Sequence, residues 1–124
     1  MAEMRFSKSH EWLRLEKDTA TVGITQFAAE QLGDVVFVEL PEAGKKVAAG
    51  GEAAVVESVK AASEIYAPVA GEILQSNDAV KADPAKVNAD PEGEGWFFRM
   101  KLSDPAEFAK LLTKDEYTKF LQTL

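Results

Sequence analysis

The chain reads as a mainly β domain with short helices at its margins. Three observations carry that reading. Short β-compatible apolar runs such as Val35 to Val38 and Ala53 to Val56 recur between Gly- and Pro-marked turns. From Trp96 to Leu102, large apolar residues alternate with other side chains at a period of two. Helix-start signals appear at Thr25, Asp104 and Thr113, each ahead of a short apolar pattern.

Taken in order, Met4 to Phe6 reads as an edge strand. Glu11 to Leu15 reads as a second, with Trp12, Leu13 and Leu15 as burial candidates. Lys17-Asp18 marks the turn, and Ala20, Val22 and Ile24 alternate on the return. Thr25 can cap a helix from Gln26 to Leu32 with Phe27 and Leu32 inward, and Gly33 stands where that helix stops. Val35 to Leu40 is a nearly continuous apolar run, expected to be a central strand closed by Pro41, and Glu42 to Gly51 is expected to be a loop. Gly71 to Leu74 begins another strand, and Asn77 to Glu94 reads as polar loop. The alternation that follows places Trp96, Phe98, Met100 and Leu102 inside and Phe97, Arg99 and Lys101 outside. In the tail, Asp104-Pro105-Ala106-Glu107 combines a cap, a first-turn proline and an acid, ahead of Phe108, Leu111 and Leu112. Thr113 to Glu116 repeats the capping-box signature before Tyr117, Phe120, Leu121 and Leu124.

Lys60 is singular by its surroundings. No other Lys or Arg lies between Val47 and Val80, a span that carries Glu52, Glu57, Glu64, Glu72 and Asp78. The flanking runs, Ala53 to Val56 and Ile65 to Ala67, suggest two strands meeting near Val59-Lys60. No Asn-Gly or Asp-Gly marks the tip, and a short helix from Glu57 to Glu64 is the competing local reading. A single lysine is most often a solvated surface group. An amine presented on a projecting bend is also what an acylating enzyme requires, and acylation turns it into an uncharged amide on a long tether.

Composition bounds the rest. A chain of 124 residues, 46% hydrophobic, is long enough for one core. Its formal charge of −7 disfavours nucleic acid and favours partners with basic rims. No cysteine is present, so any sulfur chemistry must come from a cofactor. His10, the one histidine, has no second ligand at metal spacing and receives no catalytic role. The longest apolar runs are far short of a membrane span, and Met1 to Phe6 shows neither a signal core nor an Arg-rich transit pattern. A cytoplasmic protein is expected, and a mature mitochondrial form fits the same opening.

Glu57-Ser58-Val59-Lys60-Ala61-Ala62-Ser63, continuing through Tyr66 to Glu72, resembles the lipoyl-attachment segment of the glycine cleavage system H proteins. Ser9-His10-Glu11-Trp12, Gly23 to Ala28, Leu32 to Pro41, Val87 to Pro91 and Gly95-Trp96 resemble that family in the same order. The resemblance implies a barrel-sandwich hybrid of two antiparallel sheets, one lipoyl-carrier domain over residues 1–124 with a helical extension over 104–124. It implies lipoate on Lys60, placed there by a lipoate ligase or lipoyl transferase, and a cleft for the loaded arm bordered by Ser9, Glu11 and Glu64. Such a protein is a shuttle rather than an enzyme. It takes an aminomethyl group from a pyridoxal-phosphate-dependent glycine decarboxylase, gives the one-carbon unit to a tetrahydrofolate-dependent aminomethyltransferase, and is reoxidised by dihydrolipoamide dehydrogenase.

Rival readings remain at this level. A biotin carrier is expected to have Met on both sides of its lysine, where Val59 and Ala61 stand here. A lipoyl domain of a 2-oxo acid dehydrogenase typically has Asp before the lysine. An unmodified acidic interaction domain would dock through its C-terminal helices and leave Lys60 merely exposed. A standalone enzyme has the least support, because no nucleophile with a paired base is visible.

Overall fold

The computed structural model describes residues 3–104 and 106–124. Among these residues nine strands form two antiparallel sheets. They are β1 (Glu3–Phe6), β2 (Glu11–Glu16), β3 (Thr19–Ile24), β4 (Val35–Glu39), β5 (Lys46–Val47), β6 (Glu52–Ser58), β7 (Ala62–Tyr66), β8 (Gly71–Ser76) and β9 (Phe98–Leu102). One sheet has the order β1-β2-β3-β9-β8-β5 and the other β4-β6-β7. β9 enters between β3 and β8, pairing Val22 with Phe98 and Ile73 with Met100, so the first and last thirds of the chain are sewn together. The main core draws on both sheets: Leu13, Val22, Ile73 and Met100 from the larger, Val38, Val56 and Ile65 from the smaller. This mainly β, two-sheet arrangement is the one expected.

The described residues also form five short helices: α1 (Gln26–Leu32), α2 (Asp78–Ala82), α3 (Ala85–Ala89), α4 (Ala106–Ala109) and α5 (Lys114–Leu121). Thr25 caps α1 by accepting from the Ala28 N–H at 3.3 Å. At α5, Thr113 and Glu116 form a reciprocal capping box with bonds of 3.2 and 2.9 Å. Asp104 accepts from the Ala106 N–H at 3.0 Å, while the proline expected at the first helical position lies outside the described residues. Glu107 turns away from its helix start and accepts from the Ala70 N–H at 3.0 Å.

Several expectations are corrected. β4 is an edge strand and not central, because β6 takes the middle of the smaller sheet. A bulge between Val35 and Phe37 turns Val36 and Phe37 outward in succession, leaving Val35 and Val38 as the buried pair. Phe97 is inside and Trp96 only half-buried. Phe97 precedes the strand, where its N–H donates to Val22 O and its carbonyl accepts from Asn77, so its side chain escapes the alternation. Trp96 instead lies under the Arg99 guanidinium, 4.4 Å from the ring centroid. The Asn77–Glu94 stretch contains α2 and α3, which bury Val80 and Val87. The Glu42–Gly51 segment includes β5. In α1 the buried residue is Ala29, with Phe27 and Leu32 half-buried, and Leu124 is exposed.

Candidate functional site

The strands around Lys60 meet as a hairpin, with Glu57 opposite Ala62 and Ser58 to Ala61 forming the bend. Ser58 substitutes for the missing turn signal. Its N–H donates to Ala61 O at 2.9 Å, and its hydroxyl oxygen accepts from the N–H groups of Lys60 and Ala61, both at 3.2 Å. A serine side chain that satisfies local amides in this way stabilises a turn and removes the helical alternative. The Val59 N–H adds a long-range tie to Asp34 O at 3.1 Å.

Lys60 is exposed, and its stem lies along Gly33. A Cβ placed on Gly33 would stand 3.4 Å from Lys60 Cε and 3.8 Å from Nζ. Asn88 of α3 holds the two sides of this shelf, donating to Gly33 O at 2.7 Å and accepting from the Val35 N–H at 2.9 Å.

A groove of about 320 Å³ runs beside α1, lined among others by Ser9, His10, Phe27, Leu32, Ser63 and Glu64. α1 connects the two landmarks: its last turn leads into Gly33 beside Lys60, and its first turn lies by His10, whose ring is 4.7 Å from that of Phe27. Seven residues of helix span about 10 Å. A larger open hollow of about 780 Å³ lies between the Glu39–Lys45 loop and β6, but no residue of the hairpin bend lines it.

Glu11 sits behind the Ser9 end of the groove with 1% exposure. Its Oε1 accepts from the hydroxyls of Ser7 and Ser9, both at 2.6 Å. Burial pushes its pKa up, while the two serines and a backbone bond from Tyr66 pull it back. The turn that brings these groups together places His10 at a φ of 70°. His10 Nδ1 pairs with the Tyr117 hydroxyl at 2.7 Å, and that hydroxyl pairs with Thr25 Oγ1 at 2.7 Å. Desolvation lowers the His10 pKa.

Glu64 is placed differently. It lines the groove, yet its carboxylate is exposed and accepts from the Tyr66 hydroxyl at 2.8 Å. Neighbouring Glu52 has its pKa raised by hydrogen bonding to and repulsion from Glu64. Ser9 and Glu11 are thus directly joined, whereas Glu64 is engaged by its own strand.

The sequence model of the glycine cleavage H-protein family matches residues 4–124. The chain belongs to that family. It is similar to the glycine cleavage system H protein of Acidiphilium cryptum, with 60% identity over all of both chains. The corresponding protein of Parvibaculum lavamentivorans is 55% identical over 100% of this chain and 99% of its own. A crystal structure of a glycine cleavage system H protein from Mycobacterium marinum superposes with a TM-score of 0.89 at 37% identity, covering 98% of each chain. The two sheets are therefore the barrel-sandwich hybrid of the H proteins.

Within this H-protein fold, the sequence marks Ser7 with no role, Asn88 only as part of the Val87–Pro91 resemblance and Tyr117 only as part of an apolar helix stripe. The alternation Ser7, Ser9, Glu11 was a usable local signal. Asn88 and Tyr117 act across 53 and 107 residues of separation, and no local pattern announces such partners. Among the described residues no His, Cys, Asp or Glu cluster could hold a metal ion, and no helix is long and apolar enough to cross a membrane.

Proposed function

We propose that this chain is the lipoyl-bearing shuttle of a glycine cleavage system, with lipoate joined to Lys60 through an amide and residues 1–124 acting as one carrier domain, the 104–124 segment being its helical extension. The carrying observation is the lone amine on a Ser58-braced bend, one helix length from a groove ending at the Ser9–Glu11 pair. The donor set fits such a group. The amine is accessible, Phe27 and Leu32 offer apolar wall for an uncharged tether, and a hydroxyl-bound carboxylate lies behind the far end. When attached, lipoate supplies a disulfide that takes up the one-carbon aminomethyl unit with reduction and a dithiol that is later reoxidised.

The chain's own residues position and shelter. Ser58 and Asp34 hold the bend, so Lys60 is offered in one place. Ser9 offers an oxygen acceptor to an ammonium, and the buried Glu11 behind it supplies a negative charge that keeps the nitrogen protonated and away from water. Glu64, freed from Tyr66, can add a second carboxylate at the rim. The partners on this reading are glycine decarboxylase, the aminomethyltransferase, dihydrolipoamide dehydrogenase and a lipoate ligase or lipoyl transferase. They carry the catalysis, and the bacterial relatives support a cytoplasmic setting.

The test is a peptide mass spanning Lys60 after the chain is incubated with lipoate, ATP and a lipoate ligase, followed by glycine–bicarbonate exchange with glycine decarboxylase. A lipoyl mass on that peptide, and no exchange by Lys60→Arg, is expected. An unmodified Lys60, or exchange retained by Lys60→Arg, would overturn the assignment.

A further inference from the structure

Five large apolar side chains among the described residues stand well out in solvent. Three of them, Val36 (55% exposed), Phe37 (50%) and Val59 (67%), belong to the lysine bend and the strand beside it. Pairing makes them neighbours: Val35 lies opposite Ser58, Phe37 opposite Glu57, and the Val59 N–H is bound to Asp34 O. β4 is the edge strand of its sheet, with no strand on its outer side among the described residues, and its bulge turns Val36 and Phe37 outward together. Single exposed apolar residues are ordinary, but several on one braced edge mark an interaction site. Exposed Asp34, Glu39 and Glu57 border them, on a chain of net charge −7.

We propose that Val36, Phe37 and Val59 form the docking surface for the enzyme that acylates Lys60, a protein with an apolar cleft rimmed by Lys and Arg. The proposal rests on the reading of Lys60 given above and adds the surface by which that lysine is recognised. Reach decides the occupant. Before modification the amine ends a four-carbon stem lying along Gly33, so a catalyst delivering an activated acyl group to Nζ has to sit against the bend and β4. Enzymes served by the longer acylated arm are free of that constraint. In the step itself the neutral amine attacks the carbonyl carbon of an acyl adenylate. The amide C–N bond forms, the acyl–phosphate C–O bond breaks, AMP leaves and the amine proton passes to solvent. No electrons are exchanged with an oxidant or reductant. Complementary charge speeds the encounter, and the apolar contacts hold the complex.

The experiment measures initial rates of lipoylation against concentration of the unmodified chain, with a lipoate ligase, lipoate and ATP. The variants are Val36→Ser/Phe37→Ser, Val59→Ser, and Leu74→Ser as an exposed control on β8 in the other sheet. The double variant is expected to raise KM about tenfold, the loss of one modest apolar anchor, with kcat within about twofold. Val59→Ser should move KM in the same direction, Leu74→Ser should match the parent, and thermal melting should be alike for all. An unchanged KM for the double variant sinks the proposal, and so does an equal rise for Leu74→Ser. If the parent chain takes no lipoyl group on Lys60, the underlying assignment fails. If the parent loads normally and the patch variants load as well, only the docking surface fails.

Discussion

The Ser9 hydroxyl donates to Oε1 of Glu11 at 2.6 Å, and Ser7 gives the same oxygen a second bond of equal length. A carboxylate almost sealed from water thus concentrates two donors on one atom. Short hydroxyl donors favour the anion and burial opposes it, so an ammonium arriving in the groove would settle the balance in favour of charge.

The opposition predicts a pH dependence. Burial raises the folded-state pKa of Glu11 above its ordinary 4.5, so across that interval the folded chain holds a proton that the unfolded chain has lost. Its effect on stability is neutral below 4.5 and becomes a loss as pH rises through the folded-state value. Glu11→Gln keeps an acceptor for both serines. It should match the parent under acid conditions and exceed it at higher pH. Urea melts over a pH series measure this, and a difference that stays constant with pH would refute it.

Tyr117→Phe removes the hydroxyl that joins His10 to Thr25 but keeps the ring stacked on Phe6 at 4.9 Å. Buried Thr25 and half-buried His10 each lose a bond, and the expected destabilisation is about 1–3 kcal/mol. Denaturant unfolding gives the magnitude. A change below experimental error would mean that water replaces the hydroxyl.

Gly33→Ala meets a backbone obstacle. At φ 77° and ψ −154° the chain is in a region open almost only to glycine, while the added Cβ would make only ordinary contact with the Lys60 stem. A loss of roughly 1–3 kcal/mol is expected from the backbone alone. Faster amide exchange at Val59, whose bond to Asp34 depends on the same shelf, should accompany it. Unaltered exchange at Val59 would show that the shelf does not brace the bend.

Gly23→Ala tests packing in the larger sheet. Gly23 lies opposite Trp12, and a Cβ there would come within 2.8 Å of the indole. Trp12 is fully buried and held by a 2.8 Å bond from its Nε1 to Pro91 O, so it cannot step aside cheaply. Loss of about 1–3 kcal/mol is expected, with a shift in tryptophan emission. Parent-like stability and emission would contradict the close packing described.

Short-range physics wrote part of this fold directly into the order of the residues. The isolation of Lys60 between two strands, the alternation of Phe98, Met100 and Leu102, and the caps at Thr25 and Thr113 each depend on residues within a few positions of one another. Tertiary structure decided the rest. Whether the apolar run Val35–Val38 is central or an edge depends on which strand claims the middle, and β6 does. Phe97 is inside because it pairs with Val22 and Asn77, far from it in the chain. α2 and α3 escape the sequence pattern because five residues hold too little of a 3.6-residue period, and burial of Val80 and Val87, with the Asn77 cap of α2, holds them as helices. The burial of Glu11 and the diversion of Glu64 to Tyr66 have the same origin, since composition says which groups can bond but only the packed chain decides which partners come within reach.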